Sequence, residues 1–358
     1  MGEIRTKDGL SVLSGASGEL VANLNSHLSN VRIGSHVLPL TRNDGTLTCY
    51  LCCPSVAYLD YARDELRHFV ARPWLKTALG GLIGAARPLL CASGLDRQIQ
   101  PNNWLVSTNI LPDLRAAEIM ALTAMLTEQW PDHAIVWRSV NTVNHAHLKA
   151  RFEAAGYMAL ASRQIYLFDA RGAAPPVHRD EKRDQKLLAQ GDFIPTRQFS
   201  VEDFERMARL YQALYLDKYT SLNPRYTPLF LQRAHREGLL DLVGLRGPSG
   251  SLDGIIGLFQ QGDTLTAPIV GYDTALPVEV GLYRRLMAIA LTRARDGRLL
   301  YNMSGGAAAF KRNRGAVPAL EYMMVYNRHL PPARRFATGL IRGILDGVGV
   351  PLLQRFAL

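Results

Sequence analysis

The sequence predicts an α/β (α+β) chain made of two successive units, each a mixed, mostly antiparallel sheet flanked by helices. Three observations carry that expectation. The chain has 358 residues of which 47% are apolar, enough to build more than one core. Segments with strand and helix periodicity alternate as β-α-β-α-β between 102 and 169. After a charge-dense break around Pro175-Pro176, strands again lead into a helix, a strand, a short helix and a strand, with no obvious sequence identity to the first series.

In the first hundred residues, HVLPLTRNDGTLTCYLCCP reads as a hairpin turning at Asn43-Asp44-Gly45, and YLDYARDELRHF as a helix. NNWLVSTNI is expected to be a strand and PDLRAAEIMALTAMLTEQW a helix with Pro112 and Asp113 near its start. HAIVWRSV is a strand, NHAHLKARFEAAGY a short helix stopped at Gly156, and MALASRQIYLFD a strand. Residues 170–193 lack a clean apolar face at their start and read as a linker running into a helix. SVEDFERMARLYQALYLDKY is a helix capped by Ser200 with Asp203 in its first turn, and PLFLQRAHREG is another. LLDLVGLRG, LDGIIGLFQQG and TLTAPIVGYD are strands, and EVGLYRRLMAIALTRARDG is a helix with Leu282, Leu286, Ile289 and Ala290 on one face. RLLYNMS and LEYMMVYN are strands around the short helix AAAFKRNRG. The expected units are 1–170, a linker at 171–193, 194–330, and a helical tail at 331–358.

The net charge of +10 is localised. Gly281 to Arg342 holds twelve Lys or Arg against Asp296 and Glu321, a difference equal to the whole excess. Such a field suits tRNA, a nucleotide cofactor, an acidic carrier protein or a lipid surface, or is simply a solvated face. Cys49 and Cys52 form a CxxC without a second pair or a His cluster, and the surrounding run reads as a buried strand in which cysteine is a small hydrophobe. His145 and His147 stand two apart on a helix and do not share a face, so no metal is expected. GxxxxGK(S/T), GxSxG, HExxH and GxGxxG are all missing. No charged-then-apolar leader opens the sequence, and ALGGLIGAARPLLCASGL is interrupted by glycines and Arg87-Pro88; the expectation is a cytoplasmic protein with no integral membrane span. The tail has Leu340, Ile341, Ile344, Leu345 and Val348 at helical spacing, suited to packing across the domain junction or to lying on a membrane or partner.

VNTVNHAHLKARFEAAGY resembles the fourth helix of the GNAT acyltransferase superfamily, through Asn141, Asn144, Phe152, Gly156 and Tyr157. GLYRRLMAIALTRARDGRLLYNMSGGAAAFKRNRGAVP resembles the GNAT-related domain of Fem-type aminoacyl-tRNA-dependent transferases: a helix entered at a glycine, a strand, a small-residue turn and a Phe-Lys pair. The resemblance spans roughly 100–330 and implies two tandem GNAT-like domains catalysing N-acyl transfer to an amine on an amino acid, peptide or small metabolite. Neither half has the (Q/R)xxGx(G/A) loop usual for acyl-CoA pyrophosphate, so acyl-CoA, an acyl-carrier protein and aminoacyl-tRNA all stay open as the co-substrate donor.

In a GNAT-like site two strands part, and the next helix offers its N-terminus to phosphate. That places donor binding at Val280, Gly281 and Leu282, with Arg284 and Arg285 one turn on. Acyl transfer also needs a proton acceptor for the amine, support for the oxyanion and a proton for the leaving group. The strand ends offer Asp273 to position or deprotonate the amine, Tyr301 to protonate the leaving group, and Ser304 as a further catalytic hydroxyl, with Tyr272 and Asn302 against the substrate. Lys311 and Arg314, three apart, are expected to share a face that holds phosphate or a tRNA acceptor stem. The second reading is a non-catalytic RNA- or carrier-protein-binding module with a degenerate fold. An enzyme should keep an opening lined by Tyr272, Tyr301 and Ser304, whereas a binding module should have it filled by bulky side chains.

Overall fold

The computed structural model describes residues 10–69, 72–173 and 175–356. Helix α1 (Ser17–Leu20) precedes β1 (His27–Ile33) and β2 (His36–Asp44); α2 (Ala62–Phe69) follows a π-helical turn, then α3 (Pro73–Ser93) and β3 (Arg97–Pro101). The first half ends with α4 (Ala116–Gln129), β4 (Ala134–Asn141), α5 (Ala146–Ala154) and β5 (Met158–Asp169). Helix α6 (Arg179–Leu188) leads into β6 (Ile194–Thr196), α7 (Val201–Gln212) and α8 (Pro228–Arg236). Strands β7 (Asp241–Arg246), β8 (Leu252–Gln261) and β9 (Thr264–Tyr272) are followed by α9 (Leu282–Asp296), β10 (Leu300–Asn302), α10 (Ala308–Arg312) and β11 (Val317–Tyr326). Helices α11 (Pro332–Ile344) and α12 (Val350–Phe356) are continuous through a π-helical turn.

Local chemistry explains most of these boundaries. The Ser200 hydroxyl accepts from the Asp203 amide while the Asp203 carboxylate accepts from the Ser200 amide, a reciprocal cap that starts α7. The Asn141 side chain accepts from the amides of Val143 and Asn144 and so turns the chain from β4 into α5. Two expectations are corrected. The hairpin turns at Gly34-Ser35, with Ile33 opposite His36, because Asn43 is buried and its amide donates to the carbonyls of Thr46, Cys52 and Asp96; it anchors the strand end instead of making a turn. Residues 102–110 are not a strand: Asn102 and Leu105 both take φ of 59°, which breaks any extended path. Cys49, Cys52 and Cys53 are buried as expected, in a turn and not a strand, and Cys91 is exposed.

All the strands join one 11-stranded sheet in the order β1-β2-β3-β4-β11-β5-β10-β9-β8-β7-β6. Strand β11 pairs antiparallel with β4 and β5, and β5 pairs antiparallel with β11 and β10. The last strand of the second half therefore lies inside the sheet of the first, and the last strand of the first half lies between two strands of the second. The boundary drawn through 171–193 divides the chain but not the sheet. The reason is visible in β5, where Ile165, Tyr166, Leu167 and Phe168 are all buried, so that both faces and both edges need cover. Helices α4 and α5 cover one face of the first half, around Trp137 and Phe152. Helices α3 and α11 cover the other, with Leu90 and Ile341 over Val136, Leu160 and Val325. Helix α9 covers the second half on one side and α7 with α8 on the other.

Fragment 1–193 expressed alone is expected to aggregate, because β5 then has neither neighbour. Co-expression with 194–358 is expected to return a soluble one-to-one complex, read by size-exclusion chromatography and circular dichroism.

Candidate functional site

The antiparallel sheet is interrupted by two short parallel pairs at equivalent places in the halves. Strands β3 and β4 are in register only at Gln98–Ala134 and Ile99–Ile135. Strands β9 and β10 pair only from Leu300–Thr264 to Asn302–Thr266. Beyond those pairs one strand runs on with its edge released. The first opening is taken by the chain itself: Trp104, Leu105 and Val106 are buried, the Asn109 amide donates to the Ser139 hydroxyl, and Arg138 donates to the carbonyls of Leu51 and Ser107. The second opening, where β9 continues to Tyr272, is flanked by the half-buried rings of Tyr272, Tyr283 and Phe310. Tyr215 comes close enough for Tyr283 and Tyr272 to oppose its ionisation, with burial the larger cause of its raised pKa.

Lys311 stands beside this opening. Its side chain is 3% exposed, and Nζ donates to the carbonyls of Ser304 (3.1 Å) and Gly305 (2.6 Å) and lies 5.5 Å from the Tyr166 ring centre. Burial, with the Arg163 charge adding to it, brings the amine down to about 7. The carbonyls face it because Ser304, Gly306 and Ala307 all take positive φ, of 60°, 71° and 49°. Arg163 on β5 donates to Glu321 on β11 at 2.8 Å, to the Ser107 carbonyl at 2.8 Å and to the Thr108 hydroxyl at 2.9 Å; Thr108 in turn reaches the Ser304 hydroxyl at 3.5 Å. Among the described residues the other carboxylate oxygen of Glu321 and the Tyr58 hydroxyl are buried without a partner, and the Tyr58 pKa is raised by burial and by the Glu321 charge. The strand exchange creates this cluster, since Arg163 and Glu321 meet only because β5 and β11 are neighbours.

The structure brings Ser304, Lys311 and the adjoining Asn302 together; Asn302 accepts from the Ser304 amide and holds the turn. Other expected site residues lie elsewhere. Tyr301 is 1% exposed in the core under α9, and among the described residues its hydroxyl reaches only Met287 Sδ at 3.9 Å, so it is buried away from a leaving group. Asp273 accepts from the Ala275 amide and from Arg206, both of which hold its carboxyl below the usual range, the wrong direction for a base. Val280, Gly281 and Leu282 form the start of α9 as expected, and Gly281 has the left-handed φ of 69°. That start is covered by the linker helix: a Cβ on Gly281 would stand 2.6 Å from Leu187.

The arginines expected to meet phosphate are bound to carboxylates of the same linker. Arg285 is 1% exposed and makes a two-pronged pair with Asp192. Arg284 and Arg314 share Asp184, each through Nε at 2.6 Å, and Arg295 pairs with Glu181. Glu181 and Asp184 are fully buried, so residues expected to be a solvated linker form an internal counter-charge. Lys311 and Arg314 therefore do not present one face: the lysine turns inward to the carbonyls and the arginine outward to α6 over the Phe310 ring. Sequence reasoning missed Arg163, Glu321, Thr108 and Tyr58. Each is a single residue in a different segment, and no local spacing connects them.

The paired openings repeat one plan in the two halves, and the fold that contains them is shared with a solved structure. FemX superposes with a TM-score of 0.54 over 94% of this chain and 99% of that one, at 9% identity, a likeness in fold. L-PGS from Bacillus licheniformis aligns over 63% of this chain and 78% of that one (TM-score 0.44, 13% identity), and a tandem GNAT protein from the clavulanic acid biosynthesis pathway over 64% and 74% (TM-score 0.38, 10% identity). No protein-family profile and no curated protein matches the sequence.

Two outcomes are expected. The Lys311 amine titrates near 7 when folded and near 10.5 in the open chain, so the unfolded state binds more protons between those values and stability rises with pH across that window. Relative to Lys311→Met, the native protein should therefore gain stability from about pH 7 to about pH 10, measured by urea midpoints. Asp184→Asn strands the buried Arg314 against α6 and should cost about 3–5 kcal/mol in the same assay.

Proposed function

We propose that this chain is an N-acyltransferase that moves an activated acyl or aminoacyl group from a carrier to an amine, at the β9–β10 opening. The observation that carries the reading is the parting of that parallel pair beside a buried amine poised near neutrality. A neutral lysine has two N–H donors and one lone pair. The carbonyls of Ser304 and Gly305 take both donors of Lys311, which leaves the lone pair to accept the proton that the attacking amine must lose. Arg163 keeps Lys311 from holding that proton too tightly, and the unpaired oxygen of Glu321 suits an ammonium group arriving as the acceptor. The freed edge of β9 offers backbone groups to an extended acyl or pantetheine arm.

The covered start of α9 favours a donor on tRNA or a carrier protein over free acyl-CoA, because phosphate has no open helix end there. The filled opening of the first half supports a binding role, for RNA or a carrier protein, for that half alone.

The test is mass spectrometry of amine acceptors incubated with acyl-CoA, acyl-carrier protein and aminoacyl-tRNA. The rate with the productive donor should rise with pH through about 7. Lys311→Met should remove that limb and lower kcat/KM about 100-fold. An unaltered profile in this variant removes Lys311 from the chemistry.

A further inference from the structure

Four arginines of the C-terminal excess are neutralised by the α6 linker, which leaves the positive charge that still faces solvent concentrated around α11. Arg328, Arg335 and Arg342 are exposed there with Gly156 at their backs, lining a shallow pocket together with Glu153. Among the described residues neither Arg328 nor Arg335 has a carboxylate partner, and Arg342 has only the exposed Asp346 at 3.5 Å. Asp346 is the sole acid between 327 and 356, against five arginines.

The same helix carries an apolar stripe. Phe336, Leu340, Ile344 and Val348 recur every fourth residue and are exposed by 69%, 44%, 41% and 41%. The adjoining face is committed to the fold: Ala337, Thr338 and Ile341 are buried, and Thr338 accepts from Asn327. Helix α3, packed along α11, adds to the surface. Trp74 and Leu82 are exposed by 65% and 44%, and Thr77, Ala78, Gly81, Ala85 and Ala92 are exposed and uncharged, while Arg87, with its side chain 42% exposed, is paired with Asp60. The continuous helix Pro332–Phe356 is long and apolar enough to cross a bilayer, yet it is tied to α3 and the sheet along one side while only 17% of its most apolar stretch is buried.

We infer that the α3–α11 face is a docking surface for an anionic phospholipid bilayer, with the helices lying in the interface. Apolar side chains enter the acyl boundary, and Arg335 and Arg342, about a third of a turn or more around α11 from the stripe, extend along the helix surface to the headgroup phosphates. The charge selects the occupant. A second copy of this chain would bring Arg328, Arg335 and Arg342 towards an equally basic surface, whereas an anionic headgroup layer complements them.

Cys91 lies exposed on α3 while Cys49, Cys52 and Cys53 are buried, so the full-length protein takes a polarity-sensitive fluorophore at one site. It is to be mixed with phosphatidylcholine vesicles and with vesicles in which about a third of the lipid is phosphatidylglycerol. Sedimentation with the anionic vesicles only, a blue shift of the probe and release by salt are the expected results. Phe336→Glu with Leu340→Glu, Leu82→Glu alone, and Arg335→Glu with Arg342→Glu should each weaken binding about tenfold or more while keeping native circular dichroism. Wild-type protein left in the supernatant overturns the inference. So does a lipid-free dimer, seen by light scattering, that the Phe336 and Leu340 substitutions dissolve, since the face is then a self-contact. Resistance to alkaline carbonate extraction overturns it in favour of a spanning helix.

Discussion

The exchange of β5 and β11 between the halves is the constraint on which the rest of this protein depends. Strand β5 is buried along most of its length, and both strands are paired on both edges by strands from distant parts of the chain. A sheet closed in this way cannot be assembled half by half, so the core of each half includes residues of the other. The exchange also fixes the chemistry. Arg163 lies on one exchanged strand and Glu321 on the other, and their ion pair sits beside the amine of Lys311. A charged pair at that depth is held by its partners and by the carbonyl and hydroxyl of Ser107 and Thr108.

The linker is the second organising device. A basic helix start is ordinarily a site for anions, but Asp184, Asp192 and Glu181 satisfy Arg284, Arg285, Arg295 and Arg314 from within the chain. Buried pairs of this sort specify where α6 sits more than they add stability, because desolvation offsets much of their attraction. The positive charge that remains unpaired is thereby moved from the helix start to the α11 region, where it borders exposed apolar side chains.

Much of the architecture was legible because it rests on short-range rules. Strand β5 follows from its apolar stretches on either side of Ser162-Arg163-Gln164 and α7 from the Ser200–Asp203 cap, while α5 follows from Asn141 and Gly156. The errors fall where tertiary contacts override local pattern. The Asn43-Asp44-Gly45 tripeptide looks like a turn, yet Asn43 is used for three carbonyl contacts. Residues 102–110 have strand composition, yet they fold into the gap beside β4. Of the expected site residues, Ser304, Asn302 and Lys311 meet because they lie within one turn and the helix after it. Tyr301, Asp273 and Arg285 are chemically suitable residues whose side chains have other partners.

By itself, the sequence determined most of the elements from α4 onward and the turn that precedes Lys311, because each depends on periodicity, caps and glycines within a few residues of one another. It also determined the size of the basic excess, though not its direction. Only the tertiary structure decided which arginines are cancelled, which of the two openings is filled, and that Arg163, Glu321 and Lys311 share one buried cluster. Those outcomes depend on strand pairing over more than a hundred residues of chain, and on burial that turns an ordinary lysine into an amine titrating near neutrality.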